Sequence, residues 1–299
     1  MRAAVATHRP RALRIATVAV AMTLLACLDA LPEQTPVQGL TPWGAHRRAV
    51  IVAAGDLASD SYGDSKVGDL MAVLEFSGFF VLGDNAYANG SLAEYRQYWA
   101  PVFGRYDSRA FPSPGNHDYG TPGAQGYMAY FDSAAPNYPR NSAYYVFEMG
   151  GWRWFSLNSE IPADSNSAQY TWLTTQLSVT DSPACVGAFW HRPVYSVGTY
   201  ADEVMHPILK LLAVHNATLV LTAHDHNYQR WHPKDGITQF VVGTGGRFRY
   251  PITRSDSLVV VADHDHYGVL QLGLWEGGAD FRFVTTERTV RDSGAVSCY

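Results

Sequence analysis

Five short apolar runs are each followed at once by a residue of metal-ligand type: Asp56, Asp84, Asn116, His191 and His224. A single Asp after a strand is usually a turn or cap residue. Five such positions in one chain make a pattern, because the carboxyl ends of strands in open α/β sheets converge on one rim. Carboxylates and an Asn carbonyl are hard oxygen donors, and imidazole supplies borderline nitrogen. That mixture suits Fe, Zn or Mn rather than a thiolate zinc site. His226 stands two residues beyond His224. An extended segment would point both imidazoles the same way, and a loop would aim them at two adjacent ions. Asp84 has two oxygens with which to bridge a pair of ions. Tyr87 follows three residues later. A phenol with an ordinary pKa of about 10 ionises only against a strong Lewis acid, which points to Fe(III).

The elements that must position these residues follow from patterning. Residues 49–54, 79–82, 109–113, 186–190 and 218–222 read as buried strands that run into the ligand-type residues. Helical spacing predicts helices over 64–76, 91–99, 169–177 and 202–214. A hairpin is predicted over 144–149 and 152–157 around Gly150-Gly151, and strands at 239–242, 269–274 and 281–285. Alternating strands and helices with a strand-rich end predict a layered α/β domain with central sheets over residues 49–299. Asp263-His264-Asp265-His266 also has a ligand-like look, but no strand is predicted before it, so it reads as a solvated loop.

The segments Gly83-Asp84-Asn85-Ala86-Tyr87, Gly115-Asn116-His117-Asp118, Phe189-Trp190-His191-Arg192-Pro193 and His224-Asp225-His226-Asn227-Tyr228-Gln229-Arg230 resemble calcineurin-like metallophosphoesterases. Tyr87 places the resemblance in the purple acid phosphatase branch. It implies a four-layer α/β/β/α sandwich of two mixed sheets flanked by helices. It also implies a binuclear centre of Fe(III) and a divalent ion (Zn, Fe or Mn). Asp56, Tyr87 and His226 would hold one ion, Asn116, His191 and His224 the other, and Asp84 would bridge them. His117 would contact the substrate phosphate or protonate the leaving alkoxide, with Asp118 orienting it. Arg192 and Arg230 are candidate phosphate contacts. The implied activity is hydrolysis of phosphomonoesters, of acid phosphatase type, by in-line attack of a metal-bound hydroxide. The alternative is a phosphodiesterase or nucleotidase with the same centre. Ala58 and Ala223 stand where the family usually has Gly, and neither change removes a ligand.

The 299-residue chain is 47% hydrophobic and only 16% charged, with a net charge of −5. It is neither disordered nor fibrous, and its acidic balance argues against a nucleic-acid-coating role. Arg2, Arg9, Arg11 and Arg14 form a basic leader ahead of an apolar run from Ile15 to Ala26. That run is too short to span a bilayer and suits a signal-peptide core. Leu24-Leu25-Ala26-Cys27 resembles a bacterial lipoprotein signal, which implies lipidation of Cys27; plain cleavage nearby is the competing reading. The expectation is an exported protein, periplasmic or at the cell surface, anchored to a membrane through Cys27 or else freely secreted. Residues 1–26 are then a signal peptide and 27–48 a linker. Export leaves Cys185 and Cys298, for which an oxidising compartment favours a bridge over two buried thiols.

Overall fold

The computed structural model describes residues 37, 40, 43–179 and 185–298. Residues 1–26, where a signal peptide is expected, and Cys27 lie outside the described residues. The strands, in chain order, are β1 (Ala49–Ala54), β2 (Gly78–Leu82), β3 (Ala110–Ser113), β4 (Tyr145–Met149), β5 (Trp152–Ser156), β6 (Cys185–Phe189) and β7 (Leu219–Thr222). They continue with β8 (Tyr228–Trp231), β9 (Thr238–Val242), β10 (Val259–Asp263), β11 (Gly268–Trp275), β12 (Gly278–Thr285) and β13 (Val290–Ser297).

These strands form two mixed sheets. The first runs β13-β12-β11-β1-β2-β3 and the second β10-β8-β9-β7-β6-β5-β4. Parallel pairing joins β1, β2 and β3 in the first, and β5, β6, β7 and β9 in the second. The parallel strands therefore send their carboxyl ends to the same rim within each sheet.

Strand alternation builds the layers. Phe80 of β2 points between the sheets, 4.9 Å from both Trp154 of β5 and Phe189 of β6. Tyr228 of β8 stacks on Phe283 of β12 at 4.0 Å. The next residue on β2, Phe79, points the other way and stacks on Trp99. Trp99 belongs to a helical stretch of Leu92–Glu94, a π-helical turn Tyr95–Trp99, and Ala100–Val102. Helix α1 (Tyr62–Met71) buries Val67, Leu70 and Met71 in this same core. Helix α2 (Gln125–Ala134) adds Tyr127 and Phe131 to it. On the outer face of the second sheet, α3 (Ala168–Leu177) and α4 (His206–Val214) bury Leu173, Ile208 and Leu212 against Val186, Ala188 and Val220.

A disulfide links Cys185, where β6 begins, to Cys298, just past β13, with the Cα atoms 5.2 Å apart. It joins the two sheets far along the chain from each other. The end of the predicted linker packs on the domain. The Arg48 N–H donates to the Leu274 carbonyl at 2.8 Å, and Trp43 lies beneath the Arg47 and Arg282 guanidiniums. Among the described residues, no helix is long and apolar enough to cross a membrane.

Candidate metal centre

The rim at the carboxyl ends of β1, β2, β3, β6 and β7 carries Asp56, Asp84, Asn116, His191 and His224. The backbone turns sharply where each sheet ends. Asp56, Asp84 and His224 adopt left-handed conformations, with φ of 59°, 51° and 66°. L-residues rarely hold that conformation, and it clusters at functional sites where the surroundings over-determine it. Those surroundings are hydrogen bonds between loops. The Asp56 N–H donates to the Gly83 carbonyl at 3.1 Å and the Leu57 N–H to the Asp84 carbonyl at 3.0 Å. The His224 N–H donates across the sheets to Asp56 Oδ2 at 2.9 Å. Gly83 has φ 87°, and a Cβ there would lie 2.6 Å from the Cβ of His191. A Cβ on Gly115 would overlap Asp84 Oδ1. Glycine at both positions lets three loops close on Asp84.

Two groups of donors meet at that carboxylate. In one, the Tyr87 hydroxyl donates to Asp56 Oδ1 at 2.9 Å and to Asp84 Oδ2 at 3.1 Å. His226 Nε2 is 3.2 Å from Asp56 Oδ1 and 3.4 Å from the Tyr87 oxygen. In the other, His191 Nε2 is 3.3 Å from Asp84 Oδ2 and 3.1 Å from His224 Nδ1. The ligand atoms of Asp84, His191 and His224 all lie within 4.8 Å of one another. Asn116 sits between Gly115, packed on Asp84, and His117, whose N–H donates to Asp84 Oδ1 at 2.8 Å. Its Oδ1 is buried with no hydrogen-bond partner. An orphaned buried carbonyl oxygen beside convergent carboxylate and imidazole atoms fits a cation.

Two of the imidazoles have their far nitrogens fixed by backbone carbonyls. His191 Nδ1 is 2.9 Å from the Leu82 oxygen, and His226 Nδ1 is 2.6 Å from that of Phe248. A ligating His is commonly oriented this way, with its second nitrogen held by an acceptor and the first left free for a metal. Asp225, between His224 and His226, accepts bonds from Ser196, Thr199, Tyr200 and Asn227.

The centre is strongly polarised. Burial disfavours charge on His191, but Asp84 outweighs it and raises the imidazole to about 10. Burial and then His191 push His224 down to about 3. Burial works against ionised Asp84 as well, and His191 holds it below the ordinary carboxylate range. Burial, Asp56 and Asp84 push the Tyr87 phenol well above its usual value. The carboxylates thus set up a negative field that draws positive charge into the cluster.

The remaining predicted residues divide. His117 stands at the mouth, its side chain 39% exposed. Its ring is 4.4 Å from that of Tyr87, and Nδ1 is 2.6 Å from the Ala88 carbonyl oxygen. Asp118 does not orient it. That carboxylate is fully buried and accepts from the Tyr95 hydroxyl (2.6 Å), the Gly115 N–H (2.8 Å) and the Asn85 amide (3.1 Å). Burial and the nearby Asp84 raise it to about 7. Arg192 lies next to His191 but is held by Glu160 at 2.9 Å and Asp202 at 3.3 Å. Arg230 is not brought to the centre. It makes a two-point pair with Asp292 and covers Phe281, lining a separate cleft of about 310 Å³ with Trp231 and His232. Ala58 and Ala223 are fully buried without displacing a ligand-type residue. Residues 264–266 form the expected loop, but Asp263 is the buried last residue of β10. Its carboxylate is occupied by His266 Nδ1 at 2.8 Å and by the 265 and 266 N–H groups.

Sequence reasoning missed the aromatic and cationic surroundings. Tyr250 stacks on His226 at 4.1 Å, Tyr200 lies 5.2 Å from His224, and the Arg247 guanidinium sits 4.7 Å above Tyr87. Arg247 follows directly on the Gly243-Thr244-Gly245-Gly246 run, which was the available signal.

Comparison with known proteins agrees with this geometry. At 27% identity, the chain is similar over 199 residues to purple acid phosphatase 21 of Arabidopsis thaliana, covering 60% of this chain and 44% of that protein. It is 30% identical over 243 residues to the uncharacterized protein Rv2577 of Mycobacterium tuberculosis, covering 69% and 44%. The chain therefore spans under half the length of these relatives. Among solved structures, the purple acid phosphatase PPD1 of yellow lupin (Lupinus luteus) seeds superposes with a TM-score of 0.72 at 18% identity, over 83% of this chain and 53% of that one. GAP50, the anchor in the inner membrane complex of Plasmodium, superposes with 0.70 at 17% identity, over 85% and 90%. Both share the fold. The calcineurin-like phosphoesterase model matches residues 24–228. With the fold, the rim of donors and this match in agreement, the chain belongs to the calcineurin-like phosphoesterase family.

Proposed function

We propose that this chain is an exported phosphoesterase that hydrolyses phosphate monoesters, using Fe(III) and a divalent ion. Asp56, Tyr87 and His226 would hold one ion, Asn116, His191 and His224 the other, with Asp84 shared. The observation that carries the reading is the position of Asp84 Oδ2, 3.1 Å from the Tyr87 hydroxyl and 3.3 Å from His191 Nε2. One carboxylate thus faces both donor groups. When bound, two such ions clamp a phosphate and stabilise charge on the attacking and leaving oxygens.

The chain's own residues supply the rest. Tyr87 is pushed up by burial and carboxylates, so it ionises only against a strongly acidic cation, which favours ferric iron. His117 keeps Nδ1 on the Ala88 carbonyl and turns Nε2 toward the centre, 3.9 Å from Asp84 Oδ2. That nitrogen is placed to hydrogen-bond a phosphate oxygen or to protonate the departing alkoxide. Arg247, over Tyr87 and paired at 3.2 Å with the exposed Asp60, stands at the entrance. Export is supported by the basic leader ahead of an apolar run and by the Cys185–Cys298 disulfide.

The test is metal analysis, a visible spectrum and ester hydrolysis on protein purified aerobically. The expected result is two metal equivalents per chain and hydrolysis of p-nitrophenyl phosphate faster than of its bis-ester. A visible charge-transfer band should vanish in Tyr87→Phe. Two bound equivalents with neither ester hydrolysed would overturn the reading, and a faster bis-ester would turn it into a phosphodiesterase.

A further inference from the structure

Large exposed hydrophobic side chains are scarce on this molecule. Among the described residues they are Val179, Tyr200, Val214, Phe248 and Val260. The two aromatic ones both stand at the metal centre. Tyr200, 41% exposed, lies 5.2 Å from His224, and Phe248, 52% exposed, lies 5.5 Å from His226. Tyr250 fills the space between them, 5.1 Å from Tyr200 and 5.3 Å from Phe248. The three rings form a continuous strip over the two imidazoles, and Arg247 closes its end, 4.9 Å from the Phe248 ring.

The strip is held from below. The Tyr250 N–H donates to the His226 carbonyl at 3.0 Å, and the Tyr200 N–H to Asp225 at 3.3 Å. The two loops are also tied to each other, since the N–H groups of Thr253 and Arg254 donate to the Val197 carbonyl at 2.9 Å. Solvent-exposed rings on a fixed backbone offer π faces at little ordering cost, and a flat ring stacks on such faces better than a saturated group does.

We infer that Tyr200, Tyr250 and Phe248 form a subsite for a flat aromatic ring in the alcohol of the phosphate ester. This rests on the phosphomonoesterase reading above and specifies its substrate class. A phosphate at the centre would leave the rest of the ester beside the strip, with Arg247 near the phosphate end. Two kinds of substrate share this chemistry: aryl phosphates, with the ring on the ester oxygen, and nucleoside 5′-phosphates, with the ring one sugar away.

Two pairs of probes test it and separate the sources. AMP and ribose 5-phosphate share the leaving alkoxide and differ in the base. Their kcat/KM ratio in the wild type should be about fivefold or more in favour of AMP. Phenylphosphonate and cyclohexylphosphonate, whose P–C bonds resist hydrolysis, are compared by calorimetric titration, with the phenyl compound expected to bind tighter by a similar factor. Preference in the first pair alone places the ring a sugar away, and in the second alone places it on the ester oxygen. Whichever preference appears should fall to near unity in Tyr200→Ala/Phe248→Ala and persist in Phe248→Trp. No preference in either pair overturns the subsite, even where every ester is hydrolysed. Failure to hydrolyse any monoester overturns the earlier reading instead, and the calorimetric pair still decides the subsite.

Discussion

A carboxylate sealed from water needs donors, and Asp118 draws them from the loops that carry the metal-type residues. The Gly115 N–H belongs to the loop of Asn116, and the Asn85 amide to that of Asp84. The third donor, the Tyr95 hydroxyl, reaches in from the helical stretch outside the first sheet. Asp118 thus sets the spacing of two loops without facing the cleft. Tyr95→Phe keeps the ring and removes one donor to a buried carboxylate, so stability should fall by about 1–3 kcal/mol. Urea denaturation of the two proteins measures this; equal midpoints would show that the bond carries no weight. The contrast with Asp56 or His191 explains what could be read at this scale. Those residues follow strands and are ligand types by chemistry, so their place and role are written locally. The acceptor of the Tyr95 hydroxyl lies 23 residues away, and nothing in the spacing of Tyr95 separates a donor from a packing residue. The role expected for Asp118, and the reach of Arg230 to the cleft, failed for the same reason, since partners from distant loops decided both.

The strands that end at the centre are strongly apolar, and patterning located each within a residue or so. β8, β10 and β13 escaped. Tyr228–Trp231 is half polar because Gln229 and Arg230 find partners inside the fold. Val259–Asp263 and Val290–Ser297 are edge strands; the first is apolar from Val259 to Ala262 but leaves Val260 and Ala262 exposed, and the second has no continuous apolar run. The turns leaving the central strands carry the precision. Gly83→Ala places a Cβ against His191 at a backbone angle that alanine resists. A cost of about 2 kcal/mol or more is expected from the left-handed strain and the clash together. Thermal melting should show the loss, accompanied by lower metal content in the purified protein. A variant that melts and loads like the wild type would mean that the loop has slack.

Across the whole molecule, the Cys185–Cys298 bridge closes a segment of 113 residues that contains His191, His224 and His226. Long closed loops restrict the unfolded chain most, so Cys185→Ser/Cys298→Ser should cost about 2–5 kcal/mol. Guanidinium denaturation with and without reductant gives the value; a reductant-insensitive midpoint would mean that the bridge adds nothing. The architecture also governs how the chain reaches this state. β1 bears Asp56 at its end and lies between β2, its near neighbour in sequence, and β11, which begins only at Gly268. Every metal-type residue precedes position 228, where the family match stops. A growing chain that has made all of them still presents β1 with one bare edge, open to pairing with another chain. The first sheet closes only after β11, β12 and β13, which lie between Gly268 and Ser297, have emerged. The centre is therefore complete in sequence well before it is complete in space, and β11, β12 and β13 supply the pairing that β1 still lacks.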